Sequence, residues 1–161
     1  MPKVSIIIPI YKAEKYIERC VKSLMEQTME EIEYIFINDC TPDNSMNILE
    51  KTISKYPNRK NQIVTINNRI NLGPSESRKN AINIATGNYI GFCDSDDWVD
   101  SNMYEIMYDA TNKEEIDIIV SNYFYETETS KTTKTLTPSN TPQESLAHLD
   151  DSYKFSYAMW N

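Results

Sequence analysis

Short apolar runs alternate along the chain with stretches in which apolar residues recur every three or four positions. Val4 to Pro9 is a β-branched run broken by Pro9, which predicts a buried strand ending in a loop. Ile17, Val21 and Leu24 follow at helical spacing with charged residues between them, predicting an amphipathic helix over roughly Ala13 to Gln27. The pair repeats with Ile32 to Ile37 as a strand, Thr41 to Ser45 as a polar turn, and a helix carrying Met46, Leu49 and Ile53 before Pro57. Ile63 to Ile66 predicts a third strand. Asn71-Leu72-Gly73-Pro74 reads as a turn, Ser75 as the cap of a helix bearing Ala81, Ile82 and Ala85, and Gly87 as its stop. Tyr89 to Cys93 predicts a fourth strand, Ser101 to Asn112 a helix, and Ile116 to Tyr123 another strand.

Strands and helices joined by short links predict an α/β fold, with a mainly parallel central sheet flanked by helices on both faces. Ligands of such sheets sit beyond the carboxyl ends of the strands. After Tyr125 the character changes. Residues 126–142 are Thr-rich and almost without apolar residues, which predicts an exposed hairpin or loop, and weak helical spacing returns at Leu146 and Leu149. The aromatic finish at Tyr157-Ala158-Met159-Trp160-Asn161 reads as a cut through a larger protein. Two parts are expected: an α/β domain over 1–125, and a segment over 126–161 that opens a further, truncated region.

A chain of 161 residues is long enough for one sizeable core. A formal net charge of −8 with no run of Lys or Arg argues against nucleic acid as a partner. Cys20, Cys40 and Cys93 are widely spaced, and His148 is the single histidine, so neither a zinc site nor a disulfide framework is expected. The N-terminal apolar run is too short for a signal-peptide core or a membrane span, which makes the cytoplasm the default location and leaves peripheral membrane attachment open. Only Gly73, Gly87 and Gly91 are present, so neither G-x-G-x-x-G nor a Walker phosphate loop exists.

The candidate chemistry lies at four strand ends: Pro9 to Tyr11, Asn38 to Asp39, Asn67 to Asn68, and Asp94 to Asp97. A Tyr face can stack on a base, and an Asp can accept from a base N–H. Three carboxylates together are costly unless a cation or donors compensate. Asp94 and Asp96, two apart in extended chain, would point the same way about 7 Å apart. Oxygen-only ligands select a hard ion such as magnesium or manganese. Plainer readings stand beside these. Asp-Ser-Asp-Asp can cap the following helix, Asp39 and Asp43 suit a turn, Arg78 and Lys79 suit a solvated helix face, and Tyr11 and Trp98 suit packing.

Four ordered blocks, VSIIIPIY, EYIFINDCTPDNS, NLGPSESRKNAINIATGNYIGF and DSDDWVD, make the chain resemble the nucleotide-binding part of a family 2 glycosyltransferase with the A-type fold, from Val4 to about Tyr123. The resemblance implies a donor site in which Pro9 and Tyr11 flank the base, Asp39 accepts its N–H as for uracil, and Arg78 lies near base or diphosphate. Asp94, Ser95 and Asp96 fall in the family's Asp-x-Asp region, contacting ribose and a divalent cation, manganese or magnesium, with Asp97 beside them. Either Asp96 or Asp97 is the main metal ligand. Lys12, Asn38, Cys40 and Lys79 depart from the usual Asn, Asp, Gly and Asn. Trp160-Asn161 resembles the start of a segment found in bacterial polysaccharide members, and the general base is expected beyond Asn161, leaving no catalytic residue in this chain.

What the resemblance implies is inverting transfer from a nucleotide-sugar, a UDP-sugar by the Asp39 reading, to a saccharide or lipid-linked saccharide acceptor in cell-surface polysaccharide synthesis. The expected location is cytoplasmic, with the inner face of the membrane as a place of attachment. The alternative is a catalytically silent glycosyltransferase-like binding module. An Asp-based phosphotransfer domain ranks last, because Pro9 and Tyr11 stand where its nucleophilic Asp would be needed.

Overall fold

The computed structural model describes residues 1–111, 117–126, 130–134 and 158–160. The elements are β1 (Val4–Ile10), α1 (Ile17–Met25), β2 (Ile32–Asn38), α2 (Ser45–Ile53), a 3-10 turn (Pro57–Gln62), β3 (Ile63–Asn67), α3 (Pro74–Ile82), β4 (Tyr89–Phe92), α4 (Met103–Thr111), β5 (Ile118–Val120), β6 (Tyr123–Glu126), β7 (Lys131–Lys134) and β8 (Ala158–Trp160). One sheet runs in the order β3-β2-β1-β4-β8-β5, and β6 with β7 forms a second. β1 to β4 are mutually parallel, and β8 lies antiparallel between β4 and β5.

The strand period of two divides the core. Val4, Ile6, Ile8 and Ile10 of β1 with Ile32, Tyr34 and Phe36 of β2 face α1, α2 and α4, whereas Ile7, Ile35 and Ile37 face Ala81 of α3. Helices therefore cover both faces, and the α/β expectation holds. From β1 the chain steps outward to β2 and β3, then returns past β1 to place β4 on its other side. That reversal opens a crevice at the carboxyl ends of β1 and β4.

Several boundaries differ from the sequence expectation for identifiable reasons. Residues 13–16 form a turn before α1 because the N–H groups of Lys12, Ala13 and Glu14 bond outward to Thr41 Oγ1 (2.8 Å), Ser45 Oγ (3.0 Å) and Asp43 Oδ2 (3.1 Å). α3 is capped by Gly73 at φ 81° with Pro74 at its first position, not by Ser75. Gly87 lies beyond the end of α3 at Ile82 and has a different task. A Cβ there would sit 2.6 Å from the Ser5 backbone nitrogen, so the strand-to-strand approach requires glycine. The single strand expected over Ile116 to Tyr123 is two strands: among the described residues β5 pairs with the three-residue β8, and Tyr123 enters the β6–β7 hairpin. The helical spacing at Leu146 and Leu149 lies outside the described residues. Among the described residues, no helix is long and apolar enough to cross a membrane.

Candidate functional site

All seven donor-site candidates, Pro9, Tyr11, Asp39, Arg78, Asp94, Ser95 and Asp96, line one cleft of 520 Å³ at the carboxyl ends of the parallel strands. Ile10, Asn71, Gly73 and Pro74 complete its walls. Pro9 and Tyr11 come from the end of β1, Asp39 from the end of β2, Arg78 from the second turn of α3, and the acids from the end of β4. Tyr11 is 43% exposed, with the Lys12 ammonium 5.3 Å from its ring centre.

Asp39 is 2% exposed and heavily bonded. Its Oδ1 accepts from Asn68 Nδ2 (2.8 Å) and the Leu72 N–H (2.8 Å), and its Oδ2 from the Gly73 N–H (2.9 Å). Burial pushes its carboxyl up, but the Leu72 N–H, the Asn68 amide, the Ser77 hydroxyl and the Gly73 N–H outweigh it and hold it below the ordinary range. Asp39 is thus an ionised acceptor that also fixes the turn before α3. Asp43 lies outside this cleft. Burial raises its carboxyl, while Ser45, Thr41 and Glu14 donate to it and lower it to about 2, so it laces the β1–α1 loop to the start of α2.

Residues 94–97 do not run on as extended chain. The Asp97 N–H bonds the Asp94 carbonyl (3.0 Å), and the turn this closes gathers the carboxylates of Asp94, Asp96 and Asp97 to within 4.8 Å of one another. α4 starts only at Met103, so these acids do not cap it. Arg78 pairs with Asp94 and offsets part of the charge. The remaining oxygens form an all-oxygen donor set suited to a hard divalent ion, and the chemistry of the residues fits such an ion.

Sequence reasoning assigned no role to Cys20 and Cys93. Their sulfurs lie 3.9 Å apart, both fully buried, and contact the Asp94 carbonyl at 3.5 and 3.6 Å. The hydrogen bond shared with Cys20, together with burial, pushes the Cys93 thiol up, and the two sulfurs form the floor under the acidic turn. Asn68 was visible only as a polar residue at a strand end. Its amide ties Asp39 to Ser77 Oγ (2.9 Å). Asp97 and Trp98 face a second cavity of 290 Å³ between α4 and the β6–β7 hairpin.

The glycosyl transferase family 2 profile matches residues 5–157, and the chain belongs to that family. It is similar to the uncharacterized glycosyltransferase EpsJ of Bacillus subtilis, 38% identical over 132 residues, covering 82% of this chain and 37% of that protein. It is also similar to a poly(ribitol-phosphate) beta-glucosyltransferase of Bacillus spizizenii, 40% identical over 119 residues, covering 72% of this chain and 18% of that protein. Among solved structures it is similar to S. aureus TarS 1-349 in complex with UDP-GlcNAc, at 28% identity and a TM-score of 0.65, covering 72% of this chain and 33% of the TarS chain. The chain thus spans about a third or less of the length of these relatives.

Proposed function

We infer that this domain binds the donor of a glycosyl transfer, a UDP-sugar, together with a divalent cation, manganese or magnesium. The observation that carries the reading is that one cleft at the sheet's switch point unites an exposed aromatic ring, an ionised buried acceptor, a guanidinium and an acidic turn. TarS was solved with UDP-GlcNAc, which supports uridine over other bases.

In this reading the base lies along Tyr11 and Pro9 and donates its N–H toward Asp39. Arg78 stands where it attracts diphosphate while orienting Asp94. Asp94 and Ser95 face the ribose, and Asp96 and Asp97, with Asp94, hold the cation. Bound there, a divalent ion supplies positive charge against the departing nucleoside diphosphate. An acceptor hydroxyl then displaces the diphosphate at the anomeric carbon in one inverting step, its proton passing to a base outside this cleft. None of the cleft's own acids suits the deprotonation of that hydroxyl: Asp39 is committed to its donors, Asp94 to Arg78, and Asp96 to the cation. The acceptor in this reading is a saccharide or lipid-linked saccharide of a cell-surface polymer, met at the inner face of the membrane.

Nucleotide competition tests the base assignment. UDP is expected to displace a fluorescent uridine nucleotide, whereas CDP, which presents an acceptor where uracil has its N–H, competes at least about tenfold more weakly. Equal competition by UDP, CDP and GDP would contradict it.

A further inference from the structure

Trp98 directly follows the acidic turn, and three elements converge on it. Arg19 of α1 places its guanidinium 4.4 Å from the ring centre, and Lys131 of β7 its ammonium 4.9 Å away. The indole N–H donates to Glu126 Oε2 of β6 (3.2 Å), and the same oxygen accepts from Arg19 Nη2 (2.7 Å). On its other flank the loop is held by the core. The Val99 N–H bonds Ser23 Oγ (3.2 Å), and Gln27 Nε2 bonds the Asp100 carbonyl (2.8 Å).

We propose that Trp98 is a positioning residue, the joint through which the β6–β7 hairpin sets the geometry of the acidic turn for cation and nucleotide. The proposal rests on the donor-site reading. A two-stranded hairpin is marginal in water by itself. This one faces the rest of the domain across the 290 Å³ cavity and is tied to it by the Arg19–Glu126–Trp98–Lys131 cluster. Detaching Glu126 removes the acceptor of the indole N–H and the partner of Arg19 one residue from Asp97, leaving the Arg19 and Lys131 ring contacts, so the hairpin's hold on the turn weakens. By reciprocity, filling the acidic turn must strengthen attachment of the hairpin. Cation–π contacts and exposed ion pairs of this kind are individually modest, which suits an adjustable joint rather than a rigid strut.

The test compares the wild type with Glu126→Ala, Glu126→Gln and Trp98→Phe, using calorimetry with UDP and Mn2+ and amide hydrogen exchange. Glu126 is itself exposed, so its variants fold even where Trp98→Phe does not. The expected result is that Glu126→Ala weakens Mn2+-dependent UDP binding about fivefold or more, speeds exchange over residues 94–98, and leaves the unfolding midpoint unchanged. Glu126→Gln, which keeps the acceptor oxygen, recovers most of the affinity. In the wild type, UDP with Mn2+ slows exchange in β6 and β7. Wild-type affinity in Glu126→Ala, or unchanged exchange at 94–98, overturns the proposal. A folded wild type that does not bind UDP with Mn2+ sinks the donor-site reading first, and this proposal with it.

Discussion

The guanidinium of Arg78, in the second turn of α3, is paired with the carboxylate of Asp94 at the end of β4. In the donor-site reading this ion pair separates two functions of the acidic turn, since Arg78 would attract a diphosphate but compete with a cation for Asp94. Arg78→Met is therefore expected to lower Mn2+-dependent UDP affinity about tenfold, near 1.4 kcal/mol. Mn2+ alone binds the variant at least as tightly as the wild type. Parallel titrations with Mn2+ and with UDP plus Mn2+ check the opposite signs, and a loss of both would mean that Arg78 merely supports the turn.

Asp43 provides a pH signature independent of the cleft. Its folded-state pKa is lowered to about 2, below an ordinary value of 3.8. A depressed carboxyl contributes stability that is fully present above the unfolded value and is lost as pH falls through the folded one. Urea unfolding should show Asp43→Asn less stable than the wild type at pH 7, with the gap closing between about pH 4 and pH 2. A gap that stays constant down to pH 2 would contradict the assignment of Asp43 as the charged lace between the β1–α1 loop and α2.

Lys12 and Cys40 are the positive-φ non-glycine residues among the described residues, at 53° and 56°. By the family resemblance these are two of the positions where Asn and Gly are expected. The left-handed region disfavours a Cβ, and Asn and Gly tolerate it best. Cys40→Gly is expected to stabilise the domain by about 0.5–1 kcal/mol, the relief of strain exceeding the entropy glycine adds to the unfolded chain. Thermal unfolding reads this as a rise of about 2 °C, with Cys40→Ala, which keeps the Cβ, giving none.

Arg59 is 3% exposed, and its hydrogen bonds go to the carbonyls of Met25, Gln27, Met29 and Glu30 and to Gln62 Oε1. The guanidinium collects the carbonyls at and beyond the end of α1, where the helix leaves acceptors without partners. Arg59→Met is expected to cost about 3 kcal/mol, through buried carbonyls left unsatisfied. Arg59→Lys recovers little, because an ammonium cannot span the fork of acceptors. Chemical denaturation checks both, and UDP affinity in the folded fraction stays at the wild-type level.

The sheet and its helices were legible because β1, β2 and α1 carry unmixed periodicities, and the cleft because its candidates sit at strand ends that a parallel sheet must bring together. The acidic turn was legible in identity but not in shape. Extended chain would separate Asp94 and Asp96 by about 7 Å, and the Asp97-to-Asp94 backbone bond that gathers all three acids leaves no mark in the residue types. Asn68, Arg59 and the Cys20–Cys93 pair were silent for another reason. Each works through partners some 30 to 73 positions away, at distances that only the fold defines. Gly87 was noticed but misassigned, since a helix stop and a close strand approach both select glycine.

Calorimetric titration of UDP into the domain, with and without Mn2+, in the wild type and in Asp96→Asn, tests the donor-site reading most directly. The reading predicts saturable 1:1 binding that requires the cation and weakens at least about tenfold in Asp96→Asn, with the thermal midpoint unchanged. A folded wild type that binds UDP equally well without Mn2+, or not at all in its presence, would contradict it.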